Sequence, residues 1–346
     1  MNEFDRVVLL NPLGGALKHY ATELEDVLRS TATHETVEVE GFLEPSVSGS
    51  GKLSWAGAYL LTLLRLRRHK HALIVVLWPV FGYFDFVLIR LVVGTNFAVV
   101  MHDTRPLVRA VGYGSMSRWF AGLAAPGASV IVHSRAAMED LRSRSLSGKA
   151  VILPHPILRS FARKSAARGE RQPIVRVLGQ FKQDRDVSAL RALGEFAGTE
   201  DAKLEIVGRG WPAIKGWSVV SDFVPEAELD ALIDSSDIVL IPYRRFYQSG
   251  IGIRCIERGT PVVGPGGTSL ADIFGMTSRL LVNDSSGLAS AWWRAIEYAL
   301  GNGRADAHVA ALRWRESALE SWETYLTSRR GTFDDSKGRR DRDSVT

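Results

Sequence analysis

Short runs of four to six apolar residues recur along the chain, several of them followed by a turn and then an apolar stripe at helical spacing. RVVLL at 6–10, ALIVVL at 72–77, FAVVM at 97–101, SVIVH at 129–133 and the run at 150–153 read as strands. Unbroken apolar runs of this kind are what parallel strands need when both faces are covered. Helices fit between the first strand and about residue 29, at 83–93 and at 135–144, where Ser134 is placed to cap the last. Pro154-His155-Pro156 then interrupts the pattern, and the polar, basic stretch 159–172 reads as a linker. A second series follows, with strands at 174–178, 203–207, 218–220, 238–241, 261–263 and 279–282. Its helices fit at 187–196, 226–233, 251–258 and 287–300. Two βα series with right-handed crossovers predict an α/β protein of two Rossmann-like, doubly wound parallel-sheet domains facing a cleft.

Composition narrows the classes. The chain has 346 residues, 46% hydrophobic and 23% charged, which excludes a disordered chain, a collagen and a polytopic membrane protein. The longest apolar region, 72–101, is punctuated by Pro79, Gly82, Asp85, Arg90 and Gly94, so it divides into strand, helix and strand rather than a membrane span. A single cysteine, Cys255, rules out a disulfide framework and suits a reducing compartment. The opening MNEFDRVVLLNPLGG shows no secretory h-region, and a cytoplasmic location is expected. Residues 331–346, charged and nearly devoid of apolar side chains, are expected to be a disordered tail.

Charge is unevenly placed. Residues 1–170 hold 20 Lys and Arg against 14 Asp and Glu, a net of +6, whereas 171–346 net −1. The N-terminal half therefore has either an anionic partner or a solvated basic surface. Nucleic acid is not expected as that partner. Residues 55–70 run from Trp55 and Tyr59 through leucines to Arg65, Arg67, Arg68 and Lys70. That composition suits either a helix in an anionic membrane interface or a helix packed on its own sheet with a basic end in water.

Several residues could carry chemistry. Gly14-Gly15 lies between a strand and a helix, where glycines let backbone approach an anion at a helix N-terminus or simply make a tight turn. It forms neither a G-x-G-x-x-G nor a Walker sequence. His102-Asp103 closes a strand at the carboxyl end where α/β sheets bind ligands, although a strand-end histidine is often only hydrogen-bonded. Gly179-Gln180-Phe181-Lys182-Gln183-Asp184-Arg185 follows the first strand of the second series, and its Lys182 and Arg185 could neutralise a diphosphate. Asp184-Arg185-Asp186 also spells D-x-D, but a second copy at Asp341-Arg342-Asp343 marks the pattern as chance, and no metal is expected at either. Ser249-Gly250-Ile251 opens a helix and offers a second anion site or a structural turn.

In order and spacing these segments resemble the family-4, retaining glycosyltransferases of the GT-B fold, from about Arg6 to Tyr325. The resemblance rests on Gly14-Gly15, Leu77-Trp78-Pro79, VVMHD ending in Asp103, VIVHS ending in Ser134 and LPHPI around His155. It continues through LGQFKQDRDV at 178–187, LEIVGRG at 204–210, DIVLIPYRRFYQSGI at 237–251 and ERGTPVVGP at 257–265. It implies an N-terminal acceptor-side domain at 1–165, a nucleotide-sugar domain at 173–305, and a helix at 306–330 with Trp314, Trp322 and Tyr325 that crosses back to the N-terminal domain. The implied activity is hexosyl transfer from a nucleotide-diphosphate sugar, with no required cofactor, to a glycan or lipid-linked acceptor in polysaccharide or glycolipid assembly. A sugar-nucleotide epimerase or a catalytically silent GT-B subunit are the alternatives. By the same resemblance His102, Asp103 and Arg185 are the catalytic positions, and Gly14, Gly15, Gln180, Lys182, Ser249, Gly250, Ile251 and Arg254 the donor-binding ones. Two departures stand out: the family's paired glutamates fall on Phe246 and Arg254, and Glu257 is placed to pair with Arg254 one turn away.

Overall fold

A computed structural model describes residues 4, 6–31, 36–69, 71–106, 111–142, 146–159, 171–196, 202–283 and 288–343, with side chains through 330. Most of the linker expected at 159–172, together with Lys70, lies outside the described residues. The chain divides into two units, Met1–Pro156 with Glu316–Thr346, and Ile157–Arg315. Each is built on a six-stranded, all-parallel sheet.

The first unit has strands β1 (Arg6–Asn11), β2 (Thr36–Gly41), β3 (Ala72–Val76), β4 (Phe97–Val100), β5 (Val130–Val132) and β6 (Ala150–Ile152), in the order β2-β1-β3-β4-β5-β6. Its helices are α1 (Lys18–Ser30), α2 (Pro45–Ser48), α3 (Lys52–Leu66), α4 (Phe84–Val92), α5 (Ser115–Ala124) and α6 (Arg135–Arg142). Val7, Leu9, Val75 and Val100 on one face of the sheet pack with α1 and with Ala318, Trp322 and Leu326 near the chain's end. Trp322 is fully buried and its indole N–H donates to Pro154 O at 3.3 Å, which satisfies the one polar atom that burial strands.

The second unit has β7 (Ile174–Leu178), β8 (Lys203–Val207), β9 (Ser218–Val220), β10 (Ile238–Leu240), β11 (Val262–Pro265) and β12 (Leu281–Val282), in the order β12-β11-β10-β7-β8-β9. Its helices are α7 (Val187–Gly194), α8 (Glu226–Ser235), α9 (Gly250–Glu257), α10 (Ser269–Phe274) and the first part of α11 (Ala289–Asp343). Two cores flank this sheet, one around Val177, Ile206 and Trp292, the other around Val239, Ile256 and Trp314.

The α/β class and the parallel sheets agree with the apolar pattern. Several details differ. β2, with the sequence TVEVEG, carries no apolar run; it is an edge strand with only Val37 buried, and its glutamates are what an edge tolerates. The helices expected at 287–300 and near Trp314 are one continuous helix, α11, which passes through Gly301 and Gly303. A Cβ at Gly303 would stand 2.8 Å from Pro261 Cβ, so the glycine lets that helix approach the entry to β11. The α11 backbone also continues through 331–343, most of the stretch expected as a disordered tail. Among the described residues no helix is long and apolar enough to cross a membrane.

Candidate functional site

In an open parallel sheet, ligands bind beyond the carboxyl ends of the strands, where strand order reverses. In the second unit the chain runs outward from β7 to β8 and β9, then returns to place β10 on the other side of β7. The loops leaving β7 and β10 meet at that point. Asp186 N donates to Pro242 O at 2.6 Å, Arg244 N donates to Asp184 O at 2.9 Å, and Arg185 bridges to Tyr243. Gly179, at φ 90°, turns the chain out of β7, and a Cβ there would lie 2.6 Å from Ile251 Cδ1. The first turn of α9 is thus packed against the exit of β7.

Arg185 sits in this junction at 3% exposure. Its Nη2 donates to Leu178 O at 2.8 Å and to Gln180 O at 3.4 Å, and its guanidinium carbon lies 4.1 Å from the Tyr243 ring centre and 5.1 Å from that of Trp211. Its Nε and Nη1 make no hydrogen bond, and among the described residues no carboxylate pairs with it. Burial draws its pKa below the ordinary arginine value, with Tyr243 acting against that. A guanidinium stays charged even so. Leaving a buried cation without a counter-ion costs several kcal/mol. An anion presented to the two unused N–H positions removes that cost.

The rest of the junction adds further hydrogen-bond donors and cations. Ser249 caps α9, its Oγ accepting from Gly252 N at 3.1 Å. The Gly250 and Ile251 amides, in the first turn, are left without an intrahelical partner at the positive end of the helix dipole. Gln180 and Lys182 are exposed beside Arg185, and Gln180 Oε1 accepts from Arg209 Nη2 at 3.3 Å, which adds a cation from the loop after β8. The D-x-D carboxylates have structural work: Asp186 caps α7 through Ala189 N at 3.1 Å, and Asp184 lies 4.0 Å from Arg245.

The two departures from the family pattern are clear in the geometry. Phe246 is buried against Tyr243 in the core beneath the loop. Arg254 is held by α8, its Nε donating to Asp230 at 2.6 Å and its Nη1 to Glu226 at 3.0 Å. Those carboxylates raise its pKa against the lowering effect of burial. Glu257, expected one turn away as its partner, instead accepts from Leu158 N at 2.7 Å.

In the first unit the strand order reverses between β1 and β3. Gly14 and Gly15 lie in the loop leaving β1, and their amides are engaged. Gly14 N donates to Phe42 O at 3.0 Å, and Gly15 N and Ala16 N each donate to the buried Glu44 carboxylate at 2.9 Å. A Cβ at Gly15 would stand 2.9 Å from Glu44 Oε1, so the glycine accommodates an internal carboxylate. A phosphate at this loop has to compete with it.

His102 is 3% exposed. Its Nε2 donates to Leu77 O at 2.9 Å, Trp78 stacks on it at 5.7 Å, and Tyr20 meets it edge-on at 4.6 Å. The carbonyl contact requires the proton on Nε2, which fixes the tautomer of the neutral ring. Asp103 follows, half-buried. Behind them His133 Nδ1 donates to Leu153 O and its Nε2 accepts from Tyr20 OH, both at 2.8 Å, while His155 Nδ1 donates to Pro156 O at 2.7 Å with Glu23 Oε2 at 3.8 Å. Burial, then His155 and His102, hold His133 well below the ordinary imidazole pKa. Strand-end histidines were visible in the sequence; Tyr20, Trp211, Tyr243 and Glu44 reach these places only through the fold.

No protein-family model and no curated protein sequence matches the chain. Solved structures do. A sucrose-phosphate synthase from Thermosynechococcus elongatus aligns over 99% of this chain and 100% of its own, at 14% identity and TM-score 0.62. An α,α-trehalose-phosphate synthase (UDP-forming) from Burkholderia vietnamiensis covers 97% and 99% at 12% identity and TM-score 0.62. HepE from Anabaena, solved with UDP and glucose, covers 96% and 99% at 11% identity and TM-score 0.58. With two Rossmann-like units and neighbours of this kind, the chain has the GT-B fold.

Proposed function

We propose that the protein is a glycosyltransferase that moves a hexosyl group from a nucleotide-diphosphate sugar to a hydroxyl of a glycan or lipid-linked acceptor, with retention, in polysaccharide or glycolipid assembly. The observation that carries this reading is Arg185, a buried guanidinium with two unused N–H positions and, among the described residues, no counter-ion, beside the first turn of α9 at the β7/β10 switch point. A leaving diphosphate matches both the charge and the geometry. Arg185 neutralises the developing charge as the sugar–phosphate bond breaks. The Gly250 and Ile251 amides bind the phosphate oxygens, with Ser249 holding the helix start, and Gln180 and Lys182 approach from the solvent side. In the first unit, His102 Nδ1 accepts a hydrogen bond from a sugar hydroxyl, and Asp103 orients the acceptor. Cations and amides meet the phosphate charge, so no metal is required. Exposed Arg65, Arg67 and Arg68 in 55–70 hold the enzyme at an anionic, cytoplasmic membrane face.

A panel of UDP-, GDP- and dTDP-sugars tests this by thermal shift and by transfer or hydrolysis, with and without EDTA. One nucleotide series should stabilise the wild type, by about 2.7 kcal/mol at a hundred times Kd. Arg185→Ala should abolish that shift and lower kcat/KM by about 10²-fold, or ~3 kcal/mol of transition-state stabilisation. Turnover should persist in EDTA. No shift with any nucleotide sugar overturns the reading. Binding without turnover favours the silent-subunit alternative, to which the buried Phe246 and the engaged Arg254 point.

A further inference from the structure

Helix α5 is built inside out. Ser117 and Ala121, both small, face the protein interior, while Met116, Trp119, Phe120 and Leu123 lie on the outer side. Their i, i+3, i+4, i+7 spacing makes one continuous apolar stripe, the pattern a soluble helix normally buries. Trp119 is 58% exposed and Leu123 69%, and the Trp119 and Phe120 rings pack on each other at 4.8 Å. Folding of this unit gains nothing from leaving that stripe in water.

The neighbouring helices repeat the arrangement. α3, α4 and α5 each carry the chain rightward across the same sheet, so right-handed crossovers place all three on one face, and α4 lies against both of the others. On α4, Phe84 and Leu91 point outward, Leu91 at 80% exposure. On α3, Tyr59, Leu63 and Leu66 pack inward while Leu61 and Leu64 are exposed. The aromatic residues of 55–70 are therefore not on the outer side: Tyr59 is buried, and the Trp55 indole donates to Pro12 O at 2.7 Å. The exposed aromatic contribution comes instead from α5 and α4.

Charge identifies what this face meets. Between residues 45 and 138 the chain has ten Lys and Arg against two Asp and Glu, a net of +8, larger than the +5 of the whole protein. One of the two acids, Asp85, is buried. Arg65, Arg67, Arg68 and Arg90 are exposed, and among the described residues they make no ion pair. Apolar and aromatic side chains flanked by unpaired arginines match a bilayer surface, with rings at the headgroup level and cations on lipid phosphates.

We infer that the outer face of α3, α4 and α5 docks on an anionic bilayer, with Met116, Trp119, Phe120 and Leu123 of α5 inserting among the headgroups. The inference rests on the proposed membrane-surface role of 55–70 and adds the element that enters the lipid. Electrostatics brings the protein to the surface, and burial of the α5 stripe keeps it there.

Co-sedimentation with vesicles of phosphatidylglycerol and phosphatidylcholine, against phosphatidylcholine alone, tests it. The wild type should bind the anionic vesicles. A variant combining Met116→Ser, Trp119→Ser, Phe120→Ser and Leu123→Ser should bind at least about tenfold less while melting at the wild-type temperature. Independently of any destabilised variant, brominated lipids should quench the wild type more than Trp119→Phe. If Arg65→Gln, Arg67→Gln and Arg68→Gln together abolish binding but the α5 variant binds normally, insertion through α5 is overturned and the role of 55–70 stands. If the wild type fails to bind anionic vesicles even at low salt, both fall. A wild-type dimer that the α5 variant dissociates, with no vesicle binding, assigns the face to a second copy of the chain and overturns the inference.

Discussion

Asp85 and Glu44 show how single carboxylates are used in opposite ways. Asp85, at the start of α4, accepts from Phe81 N at 2.7 Å, yet burial outweighs that bond and pushes its carboxyl up to about 7. Folding therefore favours its protonated form. The resulting stability is fully present below the ordinary pKa of 3.8 and is lost as pH rises towards about 7. Asp85→Asn should flatten the pH dependence of urea unfolding across that window, a difference of roughly 4 kcal/mol between its ends. His133 works the other way: its depressed pKa gives stability that is present above 6.5 and lost as pH falls below it. Glu44 instead serves as the acceptor that saturates the Gly15 and Ala16 amides. Glu44→Ala should cost about 1–3 kcal/mol through the orphaned amides. Inorganic phosphate should then raise the Tm of that variant more than it raises the wild type's, because the vacated amides can take the added anion.

At the scale of elements, α9 and α5 separate what periodicity tells from what it does not. α9 was legible from Ser249, Gly250 and the apolar positions after them, and its cap forms as that spacing implies. The side on which Arg254 would lie was not legible, because its partners Asp230 and Glu226 belong to α8, more than twenty residues earlier. Ser249→Ala should destabilise the protein by about 1 kcal/mol in urea melts. It should also weaken nucleoside diphosphate binding by calorimetry, since the same cap positions the Gly250 and Ile251 amides. Arg254→Ala, by contrast, should lower stability with little effect on that affinity. α5 is not among the elements expected from the sequence, and its apolar spacing at Met116, Trp119, Phe120 and Leu123 is a period without a sign. Only packing shows that the small residues face inward and the large ones outward.

At the scale of the molecule, the first unit closes with residues from both ends of the chain. Phe4 and Val7 share a core with Ala318, Trp322 and Leu326. Trp322 is the largest fully buried side chain among the described residues, and Tyr325 OH donates to Ala128 O at 3.0 Å beside it. Trp322→Ala should cost about 3–5 kcal/mol, more than any surface change proposed here, and should show as a lowered Tm even though the position is far from Arg185 in sequence. Substitution at an equally distant but exposed α11 position such as Leu312 should leave Tm almost unchanged.

The sequence by itself determined the class and most of the strands, because a strand covered on both faces needs an apolar run and such runs survive in the primary pattern. β2 was missed for the same reason: at a sheet edge one side faces water, and TVEVEG looks like a loop. Motifs also located the chain segments that carry Arg185, Ser249 and His102. Their states were decided by tertiary structure alone. Among the described residues Arg185 has aromatic rings in place of a counter-ion, because Tyr243 and Trp211, from two other loops, enclose it. The Gly14, Gly15 and Ala16 amides are engaged because the chain returns through β2 to bring Phe42 O and the Glu44 carboxylate against them. Burial, charge pairing and the direction an apolar face points depend on neighbours distant in sequence, and those neighbours are set only when the sheet order is.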